Sequence, residues 1–185
     1  SDSEYQGRHV KGMDAGDMDD VIGMCVEFAH QARRSGFDGV MMHFAHGWLF
    51  HDFLSPLSNH RNDEFGGSVE NRCRFPLMAL KAVREVLGDD LLIELRLNGN
   101  DEMEGGITPE DAARQVLIFQ DYADMIHITC STRLDVTSRP RMTPTSFFPT
   151  EHNAYASEIV KKSGVKIPVG VTGGIYNPAI AEEVL

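Results

Sequence analysis

Apolar residues recur along this chain with two different spacings, and the two take turns. In "VIGMCVEFAHQARRSG", Val21, Met24, Cys25, Phe28, Ala29 and Ala32 follow the i, i+3, i+4 rhythm of an amphipathic helix. Asp17, Asp19 and Asp20 stand where a helix N-terminus favours negative charge, and Gly36 closes the segment. "FDGVMMHF" then runs apolar almost without a break, which suits a short buried strand. The alternation repeats: "VENRCRFPLMALKAVREVLG" predicts a helix and "DDLLIELRLN" a strand. "TPEDAARQVLIFQDYA" predicts a helix with Thr108 as cap, Pro109 in the first position and Glu110 in the first turn. "DMIHITC" reads as a strand, "NAYASEIVKKSG" as a helix closed by Gly164, "KIPVGVTGG" as a strand, and "NPAIAEEVL" as the start of a last helix. Residues 1–16, polar and glycine-containing, read as a loose lead-in.

Strands that alternate with helices and stay apolar along their length imply an α/β fold whose parallel sheet is covered on both faces. Such folds place their chemistry at the C-terminal ends of the strands. The polar residues that stand out in this chain fall there: His43 and His46, Arg96 to Asn98, Thr129 to Ser131, and Thr172 to Gly174. A closed eightfold barrel takes about 250 residues, and a four-stranded parallel sheet leaves two edges unpaired. The expected architecture is therefore part of a (β/α)8 TIM barrel.

Charge and composition narrow the class. With 28 acidic against 17 basic residues the formal charge is −11, which argues against nucleic acid or an anionic membrane surface as partner. Cys25, Cys73 and Cys130 are widely spaced and odd in number, with no CxxC or Cys–His cluster. Neither a disulfide framework nor a cysteine metal site is expected, and a reduced, cytoplasmic setting is. Unpaired sheet edges lead us to expect self-association as a homo-oligomer.

Two histidines three residues apart at a strand end, His43 and His46, could direct imidazole N–H groups at one substrate oxygen and stabilise negative charge developing there. They could equally be satisfied core histidines, or ligate a metal with His51 as third partner. Arg96 interrupts an otherwise apolar strand; it needs an anion, or an ion pair with Glu94, which shares its strand face. Gly173 and Gly174 make either a tight turn or, with the helix after Asn177-Pro178, a phosphate-binding turn. "SPLSNHRNDEFGGSVENRCRF" reads as a loop clasping strand to helix, with Arg61, Asp63, Glu64, Arg72 and Arg74 on a solvated face.

"GFDGVMMHFAHGWLFHDFLSPLSNHRNDEFGGSVENRCRF", together with "ELRLN" and "PVGVTGGI", closely resembles the old yellow enzyme family of FMN-dependent NAD(P)H oxidoreductases. The resemblance implies a TIM barrel of which residues 1–185 are one partial domain, holding strands four to seven. It implies that His43 and His46 bind a substrate's electron-withdrawing oxygen, that Arg96 approaches the N1–O2 side of FMN, and that Gly173 and Gly174 lie near the FMN phosphate. The implied reaction passes hydride from NAD(P)H through FMN to the activated C=C bond of a small unsaturated carbonyl or enoyl substrate. An amine or ether dehydrogenase on the same barrel is the alternative, and a flavin-binding protein without turnover a third. Trp48 departs from the family's usual tyrosine, the proton donor to the substrate. In larger relatives an iron–sulfur cluster binds a cysteine-rich segment, which here would lie beyond Leu185.

Overall fold

The computed structural model describes residues 3–5, 8–134, 136–144 and 152–185, with side chains from Val10 onward. Four parallel strands, β3 (Gly39–Phe44), β4 (Leu92–Asn100), β5 (Met125–Cys130) and β6 (Val169–Val171), pair in chain order. Ahead of them, in the stretch expected to be loose, β1 (Ser3–Tyr5) and β2 (Arg8–Val10) form an antiparallel pair. Their three-residue strands are too short to show an alternation in sequence.

The helices are α1 (Ala15–Arg34), α2 (Leu49–Leu54), α3 (Val69–Leu87), α4 (Pro109–Phe119), α5 (Arg139–Met142), α6 (Ala154–Lys162) and α7 (Pro178–Val184). Thr108 caps α4 as expected, its side chain accepting from the Asp111 amide. α1 begins earlier than its aspartates suggested. Asp14 and Asp17 form a reciprocal capping box, at 3.0 and 2.8 Å. α2 and α5, six and four residues long, have no counterpart in the hydrophobic pattern, because neither is long enough to show a period.

Among the described residues, helices cover one face of the sheet. Strand side chains alternate. One set (Phe44, Ile93, Leu95, Leu97, Ile126 and Ile128) is fully buried in a core that α1, α3, α4 and α6 complete with Ala29, Leu80, Val116 and Val160. The other set comprises Met41 and His43 on β3, Glu94, Arg96 and Asn98 on β4, and Met125, His127 and Thr129 on β5. On that face Glu94, Arg96 and His127 are only half-buried. The strands look apolar in sequence because these polar residues are outnumbered.

β3 and β6 are the edges of the described sheet. Beside β3 lies a groove of about 360 Å³ lined by Cys25, Phe28, Val40, Met41, His43 and Phe50 among others. This is why the apolar stripe of α1 is only partly covered. Met18 and Ala29 are buried, but Met24 is 55% and Phe28 68% exposed.

The loop after α2 is the expected clasp: Asp63, Glu64 and Arg74 are solvated as expected, whereas Arg61 and Arg72 are not. Arg72 is buried, its Nε donating to the Leu54 carbonyl at 2.7 Å and a second nitrogen to Gly67. Arg61 donates to the Met13 carbonyl at 2.8 Å and lies over the Phe53 and Phe65 rings. Asn59 ties the Phe53 and Phe65 carbonyls together, and Phe53 stacks on Phe75 of α3 at 4.6 Å. These bonds fix α2, and with it the Trp48 end, against the barrel wall.

Candidate active site at the C-terminal ends of the strands

His43, Arg96 and His127 sit side by side in register on three adjacent strands, on the polar face. Glu94 does not neutralise Arg96: its carboxylate lies 2.6 Å from His127 Nδ1, and no Glu94–Arg96 ion pair forms. His127 reaches Thr172 Oγ1 with its other nitrogen at 3.3 Å. Arg96 Nε is buried without a partner among the described residues, and burial pulls the guanidinium's pKa down, only partly opposed by Glu94. A buried cation without a counter-charge is costly, and an electron-rich group beside Arg96 would relieve that cost.

His46 follows the strand with a left-handed backbone, φ 65°. Its amide donates to Asn98 Oδ1 at 3.2 Å and its Nε2 lies 2.9 Å from Thr129 Oγ1, so the ring crosses β4 to reach β5. The His43 and His46 ring centroids are 5.1 Å apart. Burial, then Arg96, lowers the His46 pKa to about 3, and the same two causes lower that of His43. Both imidazoles are therefore neutral near pH 7. The metal reading fails on geometry: His51 is turned away, its Nε2 2.8 Å from Asp101 Oδ1. No group of three metal-ligating residues gathers among the described residues.

Behind His46 lies a network that the sequence did not reveal. The Asp101 carboxylate, fully buried, accepts from His51, from Ser55 Oγ at 2.6 Å, from Asn98 Nδ2 at 2.8 Å and from the Ile107 amide at 3.0 Å. Asn98 Nδ2 also donates to the Ser131 carbonyl at 2.7 Å, which turns its oxygen toward the His46 amide. One carboxylate thus joins α2, the end of β4 and the loop at 101–107, and through Asn98 the end of β5. Asn98, Thr129 and Ser131 carried a signal in the sequence as polar residues at strand ends, and His51 only as a candidate metal ligand.

Trp48 precedes α2 at the rim, 53% exposed, with the Arg133 guanidinium 4.6 Å above its ring. Arg133 Nε donates to the Gly47 carbonyl at 2.5 Å. Gly47 has φ 75°, and a Cβ there would come within 2.8 Å of Thr132 Oγ1, so this turn admits only glycine.

Gly173 and Gly174 end β6 with φ 143° and 67°. A Cβ at Gly173 would press to 3.0 Å on His152 and Asn153. Neither glycine's amide donates a backbone hydrogen bond among the described residues. In the helix that follows, the Asn177 side chain Oδ1 accepts from the Ala179 amide. The orphaned Arg96 Nε and the two open amides are what an anionic, ring-bearing cofactor with a phosphate tail requires, and the residues present fit such a group.

Acid should unfold this site by a defined route. An imidazole whose pKa is about 3 in the fold and 6.5 in the unfolded chain is protonated first when unfolded. Stability then falls as pH drops from about 6.5, by about 1.4 kcal/mol per pH unit for each such group. Asp52 acts the other way. Burial raises its pKa from 3.8 to about 6, so between those values the folded state holds the extra proton and offsets the loss. Urea midpoints measured from pH 7 to 4 should decline below 6.5 and less steeply below 6, where Asp52 offsets one of the two histidines. His46→Asn should lessen the first decline, and an unchanged decline in that variant would contradict the assignment.

The whole chain, residues 1–185, matches the sequence model of the NADH:flavin oxidoreductase / NADH oxidase family. An NADPH dehydrogenase of Clostridium acetobutylicum is 38% identical over 163 residues, 85% of this chain and 44% of that protein. An NADH oxidase of Thermoanaerobacter brockii is 31% identical across 98% of this chain and 27% of its own length. Among solved structures, a 2-naphthoyl-CoA reductase complex superposes with TM-score 0.85 and 26% identity, over 98% of this chain and 30% of that one. A 6-hydroxypseudooxynicotine amine oxidase from Pseudomonas geniculata N1 gives TM-score 0.83 and 26% identity, over 97% and 27%. The old yellow enzyme homologue from Zymomonas mobilis gives 0.71 and 22% identity, over 96% and 48%, and shares the fold. The chain spans less than half the length of each of these proteins. Among the described residues no helix is long and apolar enough to cross a membrane.

Proposed function

Because the chain belongs to the NADH:flavin oxidoreductase / NADH oxidase family, we propose that it supplies the substrate-activating wall of an FMN-dependent ene-reductase. The substrates are small α,β-unsaturated carbonyl or enoyl compounds, and NAD(P)H is the reductant. FMN, when bound, accepts hydride from NAD(P)H and delivers it to the β-carbon of the activated C=C bond. Arg96, and the open amides of Gly173 and Gly174, are the residues that would hold it. His43 and His46 remain uncharged near pH 7 and lie side by side, so they polarise a substrate carbonyl by hydrogen bonding without donating a whole positive charge.

The observation that carries this reading is the pair of neutral imidazoles beside an arginine that forms no ion pair among the described residues. The similarity to an amine oxidase supports a second reading, oxidation of an amine. An ammonium substrate calls for a carboxylate on the polar face, and among the described residues of β3 to β5 the one there, Glu94, is engaged by His127. The arrangement favours building negative charge on a substrate, not accepting a positive one.

Arg96→Met tests the reading. Removing the fixed cation should lower the reduction potential of the flavin-loaded protein by about 30 mV or more, since about 1.4 kcal/mol corresponds to that shift in a two-electron couple. Dye-coupled reductive titration measures it. An unchanged potential would assign Arg96 a purely structural role.

A further inference from the structure

The contact between His46 Nε2 and Thr129 Oγ1, 2.9 Å, leaves open which atom carries the proton. The surroundings decide it. Thr129 is 1% exposed, and its hydroxyl has no other partner among the described residues. Were Nε2 protonated, it would donate to Thr129, and the hydroxyl's own hydrogen would be stranded in the interior, an expensive arrangement. If the hydroxyl donates instead, its hydrogen is satisfied and the imidazole proton moves to Nδ1. His46 Nδ1 makes no hydrogen bond among the described residues, yet it is not among the buried polar atoms without a partner, so it keeps some access to open space.

From this geometry we infer that Thr129 is a positioning residue: its hydroxyl donates to His46 Nε2, holding His46 as the Nδ1–H tautomer with that N–H facing the space beside His43. The consequence is chemical. A neutral imidazole has one donor and one acceptor, and only the Nδ1–H form presents a donor to a substrate oxygen; the other form presents a lone pair, which repels it. The Asn98 bond to the His46 amide keeps the backbone in the pose that makes this contact. Burial and the neighbouring Arg96 keep the ring neutral near pH 7, so the choice of tautomer is a real one. The tautomer follows from the hydrogen bonds alone; its importance for turnover rests on the ene-reductase reading.

Long-range 1H–15N correlation on 15N-histidine-labelled protein at pH 7 separates the two. The His46 Nδ1 resonance should lie in the protonated range and Nε2 in the unprotonated range. Thr129→Val, which keeps the shape and removes the hydroxyl, should shift His46 toward the Nε2–H form that free histidine favours. Thr129→Ser should restore the original pattern. A wild-type spectrum showing Nε2–H overturns the inference, whether or not the valine variant folds. In flavin-loaded protein, Thr129→Val should slow enone reduction about tenfold relative to flavin reduction by NADPH, the worth of about 1.4 kcal/mol in a barrier, and Thr129→Ser should recover it. An Nδ1–H spectrum together with an unchanged ratio of the two rates would uphold the tautomer and overturn the substrate role given to His46.

Discussion

Trp48→Tyr is expected to accelerate reduction of a simple enone while leaving flavin reduction by NAD(P)H nearly unchanged. After hydride reaches the β-carbon, the α-carbon needs a proton. An indole N–H donates hydrogen bonds but is far too weak an acid to supply one, whereas a phenol can. General-acid assistance is worth about 10²–10⁴-fold, and that is the range in which the gain should fall. The surroundings of position 48 favour the exchange. The ring stands at the rim with access to water, and the Arg133 guanidinium above it would help a phenol release its proton. The reductive half-reaction uses no proton from this position, so stopped-flow measurement of both halves isolates the effect. If flavin reoxidation by the enone slows instead, Trp48 shapes the pocket and the proton comes by another route.

Asp101→Ala should destabilise the fold by about 3–5 kcal/mol, the usual consequence of removing one partner from a buried charged network. Four donors, from His51, Ser55, Asn98 and the Ile107 amide, would lose this acceptor in a fully buried region. Asp101→Asn should cost less, because it keeps the shape and one accepting oxygen. Urea unfolding checks both, and a loss below about 1 kcal/mol for the alanine variant would show that the network is dispensable. Acid probes the same group. Although burial pushes its carboxyl up, the bonds from His51, Ile107 and Ser55 carry its pKa below the usual carboxylate value. Its contribution is complete above the unfolded value and disappears as pH falls through the folded one.

These two residues differ in how visible they are in the sequence. Trp48 lies in a stretch whose resemblance to the family is dense enough to mark the departure from tyrosine. Asp101 lies in "NGNDEMEGG", where an acidic residue in a glycine-containing loop looks like surface. Its partners His51 and Ser55 are 50 and 46 positions away, and nothing local brings them together.

The same division runs through the fold. Hydrophobic patterning placed α3, α4, α6 and strands β3 to β6 because a helical apolar period and a short apolar run are both local properties of the chain. It misplaced the start of α1, where several aspartates compete to cap and only backbone geometry selects Asp14. It passed over α2 and α5, which are held by neighbours rather than by periodicity. α2, for example, is held by the Arg72 bond to Leu54 and by Phe53 packed on Phe75.

For the site, the sequence alone determined which residue types stand at the strand ends. Polar side chains in otherwise apolar strands are conspicuous, and His43, His46 and Arg96 were legible for that reason. Tertiary structure decided what those residues are. Parallel pairing set His127 beside Glu94 and left Arg96 without an ion pair among the described residues. It also brought Thr129, 83 positions from His46, to the one nitrogen whose hydrogen bond selects the tautomer. Charge compensation and proton placement depend on distances of about 3 Å, and only strand register and the burial around it establish those.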